Sequence, residues 1–289
     1  MEIVVGKNAG FCYGVKRAVD GAKEELKNKT GDICCLGEIV HNKDVVKSLE
    51  EQGMKFIESI SDARETTIIR AHGVPQEVYK KASELNINIK DYTCPKVLKI
   101  HEIAEQYVQK DFYIMLTGSK KHPETIGTIS FCGNNYFVIE NEEMLETAIH
   151  QFNLAKIKKL LLISQTTFSV EKFSRIKDKI TNLISKDVDF IVKNTICPAT
   201  KIRQEEVAEL SKQVDKMIII GGKNSSNTKK LFEVAKKFCE NSICIENERE
   251  LDLGFFKETD KVGIMAGAST PQESIEAVKK SLEKDYILV

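Results

Sequence analysis

The sequence predicts an α/β fold made of three units related by pseudo-threefold symmetry, each a mostly parallel sheet flanked by helices. Short apolar, β-branched runs alternate with amphipathic stretches of helical period along the chain, as in strand–helix–strand crossovers. Three cysteines, Cys12, Cys94 and Cys197, each stand at the start of a helical stretch. Polar loops follow them at recurring distances: His41, His122 and Ser225 lie 29, 28 and 28 positions after their cysteines. A second set of loops brings His72, Thr166 and Ser269 at 60, 72 and 72 positions.

The elements follow from local pattern. Strands are expected at Ile3–Val5, Ile33–Leu36, Thr67–Arg70 and Ile89–Asp91 in the first part of the chain. Phe112–Leu116, Tyr136–Ile139, Leu160–Ile163 and Phe190–Val192 form the second group, and Met217–Ile220, Ile243–Ile245 and Val262–Met265 the third. Helical patterns lie between them, among them Val15–Leu26, Lys96–Gln109, Val170–Ser185 and Lys201–Gln213. Proline follows Cys94 and Cys197, and proline suits the first helical position. Both thiols therefore sit at helix N-termini, where the dipole favours thiolate.

The repeat makes a topological prediction. Strands Ile89–Asp91 and Phe190–Val192 lead into Cys94 and Cys197, but after Ser269 only a helix from about Pro271 to Leu282 remains. Ile3–Val5 leads into Cys12, so it is expected to close the third sheet. The units then run over 13–93, 94–193 and 194–289, with residues 1–12 completing the last.

Composition narrows the chemistry. Across 289 residues, Lys plus Arg and Asp plus Glu both number 43, so the balanced charge gives no electrostatic case for nucleic acid or an anionic membrane. No apolar run reaches the roughly 20 residues of a membrane span. The opening MEIVVGKN lacks the layout of a signal peptide, so a cytoplasmic protein with reduced thiols is expected. Eight cysteines without a C-x-x-C pair fit no small disulfide scaffold.

Three thiolates at one point suit a metal site with an open position: either zinc, or an iron–sulfur cluster with one iron lacking a protein ligand. Spacing does not choose between them. Cys34, Cys35, Cys132, Cys239 and Cys244 lie in or beside apolar stretches and read as small core residues. His41, His72 and His122 occupy loops just after strands, where open α/β sheets bind ligands. His101 and His150 fall within helices and read as structural. In the third unit GGKNSSNT stands where the others carry histidine, and Ser225, Ser226 and Asn227 are short donors at a helix start. Taken alone, that stretch reads as an ordinary cap and turn. With Ser269 and the histidines it forms a donor set suited to a phosphate or diphosphate. Glu124, beside His122 and Pro123, is the best general-acid candidate, and Thr166 could orient a substrate hydroxyl. Charge-rich helices read as solvated faces. A zinc hydrolase of a phosphorylated metabolite and a cluster-based redox sensor are the rival readings.

The stretches GFCYGVKRAV around Cys12, HN at 41–42, AHGVP at 71–75, TCP at 93–95, HPE at 122–124, SQTT at 164–167, CPAT at 197–200 and SSNT at 225–228 resemble the 4-hydroxy-3-methylbut-2-enyl diphosphate reductase family, with no departure at any of these positions. The resemblance covers nearly the whole chain. It implies a 4Fe–4S cluster on Cys12, Cys94 and Cys197 at the centre of three α/β units. It implies that His41, His72, His122, Ser225, Ser226, Asn227 and Ser269 hold the diphosphate of an allylic substrate. Glu124 would deliver protons and Thr166 would help to place it. The implied reaction uses two electrons, from a ferredoxin or flavodoxin, and two protons to remove the hydroxyl as water, giving isopentenyl and dimethylallyl diphosphate.

Overall fold

The computed structural model describes residues 1–28, 31–156 and 158–285. In chain order the elements are β1 (Glu2–Val5), α1 (Tyr13–Lys27), β2 (Ile33–Leu36), α2 (Lys43–Glu51), β3 (Lys55–Ile57), β4 (Thr66–Ile69), α3 (Gln76–Glu84) and β5 (Asn88–Asp91). There follow α4 (Pro95–Val108), β6 (Tyr113–Thr117), α5 (Pro123–Ile129), β7 (Tyr136–Ile139), α6 (Leu145–Leu154), β8 (Lys159–Ser164), α7 (Val170–Leu183) and β9 (Asp189–Val192). The chain ends with α8 (Pro198–Ser211), β10 (Lys216–Ile220), α9 (Ser226–Phe238), β11 (Ser242–Ile245), β12 (Lys261–Ala266) and α10 (Gln272–Asp285). Among the described residues no helix is long and apolar enough to cross a membrane.

The strands form three four-stranded parallel sheets of like order: β3-β2-β4-β5, β7-β6-β8-β9 and β11-β10-β12-β1. The N-terminal strand lies beside β12, with Ile3 opposite Val262 and Val5 opposite Ile264, and not in the sheet of Ile33–Leu36. It takes the place that β5 and β9 hold in the other sheets. One strand escaped the sequence pattern: β3, whose three residues are too few to show a period.

The chain divides into two compact units. One, residues 17–39 and 52–197, holds the first two sheets; the other, residues 1–16, 40–51 and 198–289, holds the third. In the larger unit, β8 sends Leu160 and Leu162 into a core with Phe152, Ile176 and Ile180, and Leu161 and Ile163 into another with Ile100 and Ile114. The period-2 alternation of a strand thus feeds two buried faces, which is why these strands read as continuous apolar runs. In the smaller unit β10 does the same, with Ile218 and Ile220 on one face and Met217 and Ile219 on the other. Such cores fix the strand ends, and the loops beyond them carry the polar residues singled out by sequence.

Candidate active site

In the larger unit, Glu124 lies in the first turn of α5 behind Pro123 and is 2% exposed. Both carboxylate oxygens are held by one residue: the Thr166 N–H donates to Oε1 and the Thr166 hydroxyl to Oε2, each at 2.6 Å. Burial pushes the Glu124 carboxyl up to about 7, against the downward pull of those two hydrogen bonds. The group is therefore poised to hold or give a proton near neutral pH. His122 caps the same helix, its Nδ1 accepting the Glu124 N–H at 3.2 Å. In the neutral ring that leaves the proton on Nε2, as a donor. The His72 and His122 rings meet edge to face, 5.4 Å between centroids.

In the smaller unit, Ser225 caps α9 by accepting the Thr228 N–H, and Asn227 is buried, its Nδ2 without a hydrogen-bond partner among the described residues. A buried amide donor with nothing to donate to is costly, and an anionic ligand would satisfy it. The Ser269 hydroxyl donates to the His41 carbonyl at 3.2 Å, and Gly222 packs against the same carbonyl. A Cβ at Gly222 would stand 2.4 Å from the His41 oxygen, a backbone atom that cannot swing away. Gly222→Ala is therefore expected to destabilise the chain by about 1–3 kcal/mol through overpacking. A thermal melt of the variant against the parent checks it.

The three cysteines occupy like places. Cys12 and Cys197 precede α1 and α8, and Cys94 is the N-cap of α4. Each backbone N–H donates to a carbonyl in a loop beyond a sheet's third strand: Cys94 to Ala71 at 3.0 Å, Cys197 to Thr166 at 2.9 Å, and Cys12 to Ala268 at 3.1 Å. The three thiols are half-buried and in no disulfide. Soft sulfur donors at helix starts, neither sealed in a core nor oxidised, fit a thiolate-ligated iron or zinc centre. Cys34, Cys35, Cys132 and Cys239 contrast with them in being buried, while Cys244, expected as a core residue, is half-buried. Burial pushes Cys35 and Cys132 up to about 12, and Cys132 donates to the Thr128 carbonyl. His101 also matches its structural reading: it stacks on Phe131 at 4.4 Å, and burial holds it down to about 4.

The registers refine one equivalence. Leu36–Ile69, Thr117–Ser164 and Ile220–Ala266 are matching strand pairs. They align His41, His122 and Ser225 as spacing suggests, but set Thr166 beside Ala71 and Ala268, one position before the His72 and Ser269 places. Counting from the strand end rather than from the cysteine reveals the shift. It also explains why one residue, Thr166, can receive the Cys197 N–H on its carbonyl and still hold Glu124.

Parallel sheets flanked by helices, with a buried carboxylic acid and half-buried thiols in loops beyond the strand ends, mark an enzyme of the α/β class. The chain belongs to the LytB protein family, whose model matches residues 3–283. It is 41% identical over 285 residues to the 4-hydroxy-3-methylbut-2-enyl diphosphate reductase of Clostridioides difficile (strain 630), covering 98% of this chain and 99% of the relative. It is 39% identical over 293 residues to the reductase of the same name from Aquifex aeolicus (strain VF5), with coverages of 98% and 96%. A solved structure described as (E)-4-hydroxy-3-methyl-but-2-enyl diphosphate reductase, the terminal enzyme of the non-mevalonate pathway, matches with a TM-score of 0.71 at 38% identity, covering 98% of this chain and all of that one. The Plasmodium falciparum E-1-hydroxy-2-methyl-but-2-enyl-4-diphosphate reductase matches with a TM-score of 0.89 at 29% identity, over 98% of this chain and 87% of that one.

Proposed function

We propose that this chain is a 4-hydroxy-3-methylbut-2-enyl diphosphate reductase, removing the substrate hydroxyl as water with two electrons and two protons to give isopentenyl and dimethylallyl diphosphate. The observation that carries the reading furthest is the buried Glu124 carboxyl, clasped by Thr166 and raised to about 7. Cys12, Cys94 and Cys197 would hold a 4Fe–4S cluster, which when bound supplies electrons and a Lewis-acidic iron. His41, His72, His122, Ser225, Ser226, Asn227 and Ser269 would bind the diphosphate. Their hold on this remote group would supply binding energy to the reacting end. Glu124 would protonate the departing hydroxyl, and Thr166 would keep both carboxylate oxygens aimed. The electron donor would be a ferredoxin or flavodoxin, and the site of action the cytoplasm. The chain reads as three repeats, 13–93, 94–193 and 194–289, with 1–12 completing the third.

The test is anaerobic turnover of the allylic diphosphate with a reduced dye, followed by product analysis. Formation of the two isoprenoid diphosphates supports the assignment; release of phosphate without dye oxidation overturns it in favour of a hydrolase. The acid gives the profile its sign: Glu124 must be protonated, so kcat/KM should fall as pH rises through about 7. In Thr166→Val the hydroxyl that pulls the Glu124 pKa down is gone. The alkaline limb should move to higher pH while the rate drops. A limb that stays in place would detach Glu124 from the pH dependence.

A further inference from the structure

The three cysteine loops differ in one internal contact. Arg17 of α1 donates to the Asp91 and Thr93 carbonyls before Cys94, much as a helix arginine does before Cys12. Only the Cys94 and Cys197 loops carry a side-chain acceptor of their own. Three positions before Cys94 and Cys197 stand Asp91 and Asn194, whose side chains accept the N–H two residues on, from Thr93 at 2.8 Å and Ile196 at 3.1 Å. Each loop thus makes its own turn. The matching position before Cys12 is Ala9, which has no such acceptor.

That loop is held from outside by α8. Arg203, 5% exposed, donates through Nη2 to the Gly10 carbonyl at 2.8 Å, while its Nη1 reaches the Ala199 carbonyl of its own helix. One turn further on, Glu206 accepts the backbone N–H groups of Lys7 and Asn8 and the Asn8 side-chain amide. Arg203 and Glu206 are three apart and share a helix face, so one face supplies a donor to the loop's carbonyl and an acceptor to its amides. Gly10 takes φ +99°, a conformation glycine tolerates and the chain uses to turn into Cys12.

We propose that Arg203 and Glu206 are positioning residues for the Cys12 thiolate, so that α8, the helix following Cys197, sets the geometry of a second cysteine. The proposal rests on the reading of Cys12 as a cluster ligand. Charge-assisted hydrogen bonds to backbone are the strong ones, and residues that orient a metal ligand typically govern affinity about 10–100-fold.

The test uses the full-length chain, purified without oxygen, with variants Arg203→Met, Arg203→Lys and Glu206→Ala. Alkylation by iodoacetamide is followed at Cys12, Cys94 and Cys197 separately by peptide mass spectrometry after chelation of metal. Iron per chain and the cluster's midpoint potential are measured after reconstitution. Arg203→Met and Glu206→Ala should alkylate Cys12 about tenfold faster while leaving Cys94 and Cys197 unchanged, lose iron affinity by a similar factor and shift the potential of what cluster remains. Arg203→Lys should restore part of each. An unchanged Cys12 rate, or equal rises at all three cysteines, overturns the proposal. Should Arg203→Met fail to fold, Glu206→Ala, at a half-exposed position, decides alone. Wild-type chain that takes up no iron or sulfide defeats the cluster reading, and the alkylation pattern separates that failure from failure of the clamp.

Discussion

Glu124→Gln should abolish turnover, by about 10²- to 10⁴-fold in kcat, while the chain stays folded and keeps its iron. The amide fits the space the carboxyl leaves. Its oxygen can accept the Thr166 N–H and its nitrogen can donate to the Thr166 hydroxyl, so both 2.6 Å contacts keep a partner. What is lost is a proton that can be given. Stability supplies a control. The folded pKa of about 7 lies above the ordinary 4.5, so the protonated carboxyl is the favoured native form. Its contribution is complete below about 4.5 and is lost as pH rises through about 7. The glutamine variant never ionises, so at pH 8 it should melt no lower than the parent. Unfolding or iron loss would instead make Glu124 structural; near-normal kcat would remove it as the acid.

Cys197→Ala should strip the cluster and with it all reductase activity. The thiol precedes Pro198 at the start of α8, and its N–H is tied to Thr166, the residue that also clasps Glu124. Alanine leaves that backbone bond intact, so the Thr166 carbonyl remains satisfied and the fold should survive. On the proposed assignment, losing one of three ligands would leave a metal centre two sulfurs from the protein, and metal binding is strongly coupled to its ligand set. Cys132→Ala is the contrasting control. Its thiol is buried on α4's side of the second sheet and donates to Thr128, so it should lower stability without touching iron content. Full iron in Cys197→Ala would break the ligand assignment.

Much of the fold was legible because the repeat is written in residue types that physics constrains. A sheet lacking a last strand at one end of the chain, and a spare strand at the other, make the β1–β12 pairing readable without coordinates. The strand β3 was not readable, since Lys-Phe-Ile carries too little alternation to signal a strand. Glu124 was legible from its place behind proline at a helix start. Its burial, and the clasp by a residue 42 positions away, were visible only in three dimensions. The residues that hold the Cys12 loop were hidden for another reason. Arg203 and Glu206 sit in a charge-rich helix of a kind that reads as a solvated face. Their partners lie 193 to 199 positions earlier. The available signal was negative: an Asp and an Asn three residues before two cysteines, and an Ala before the third.

The most direct measurement is iron, acid-labile sulfide and zinc per chain on protein purified without oxygen. About four irons with matching sulfide are predicted, the content of one 4Fe–4S cluster. Stoichiometric zinc without sulfide would contradict the account and turn the same three thiols into a hydrolytic site.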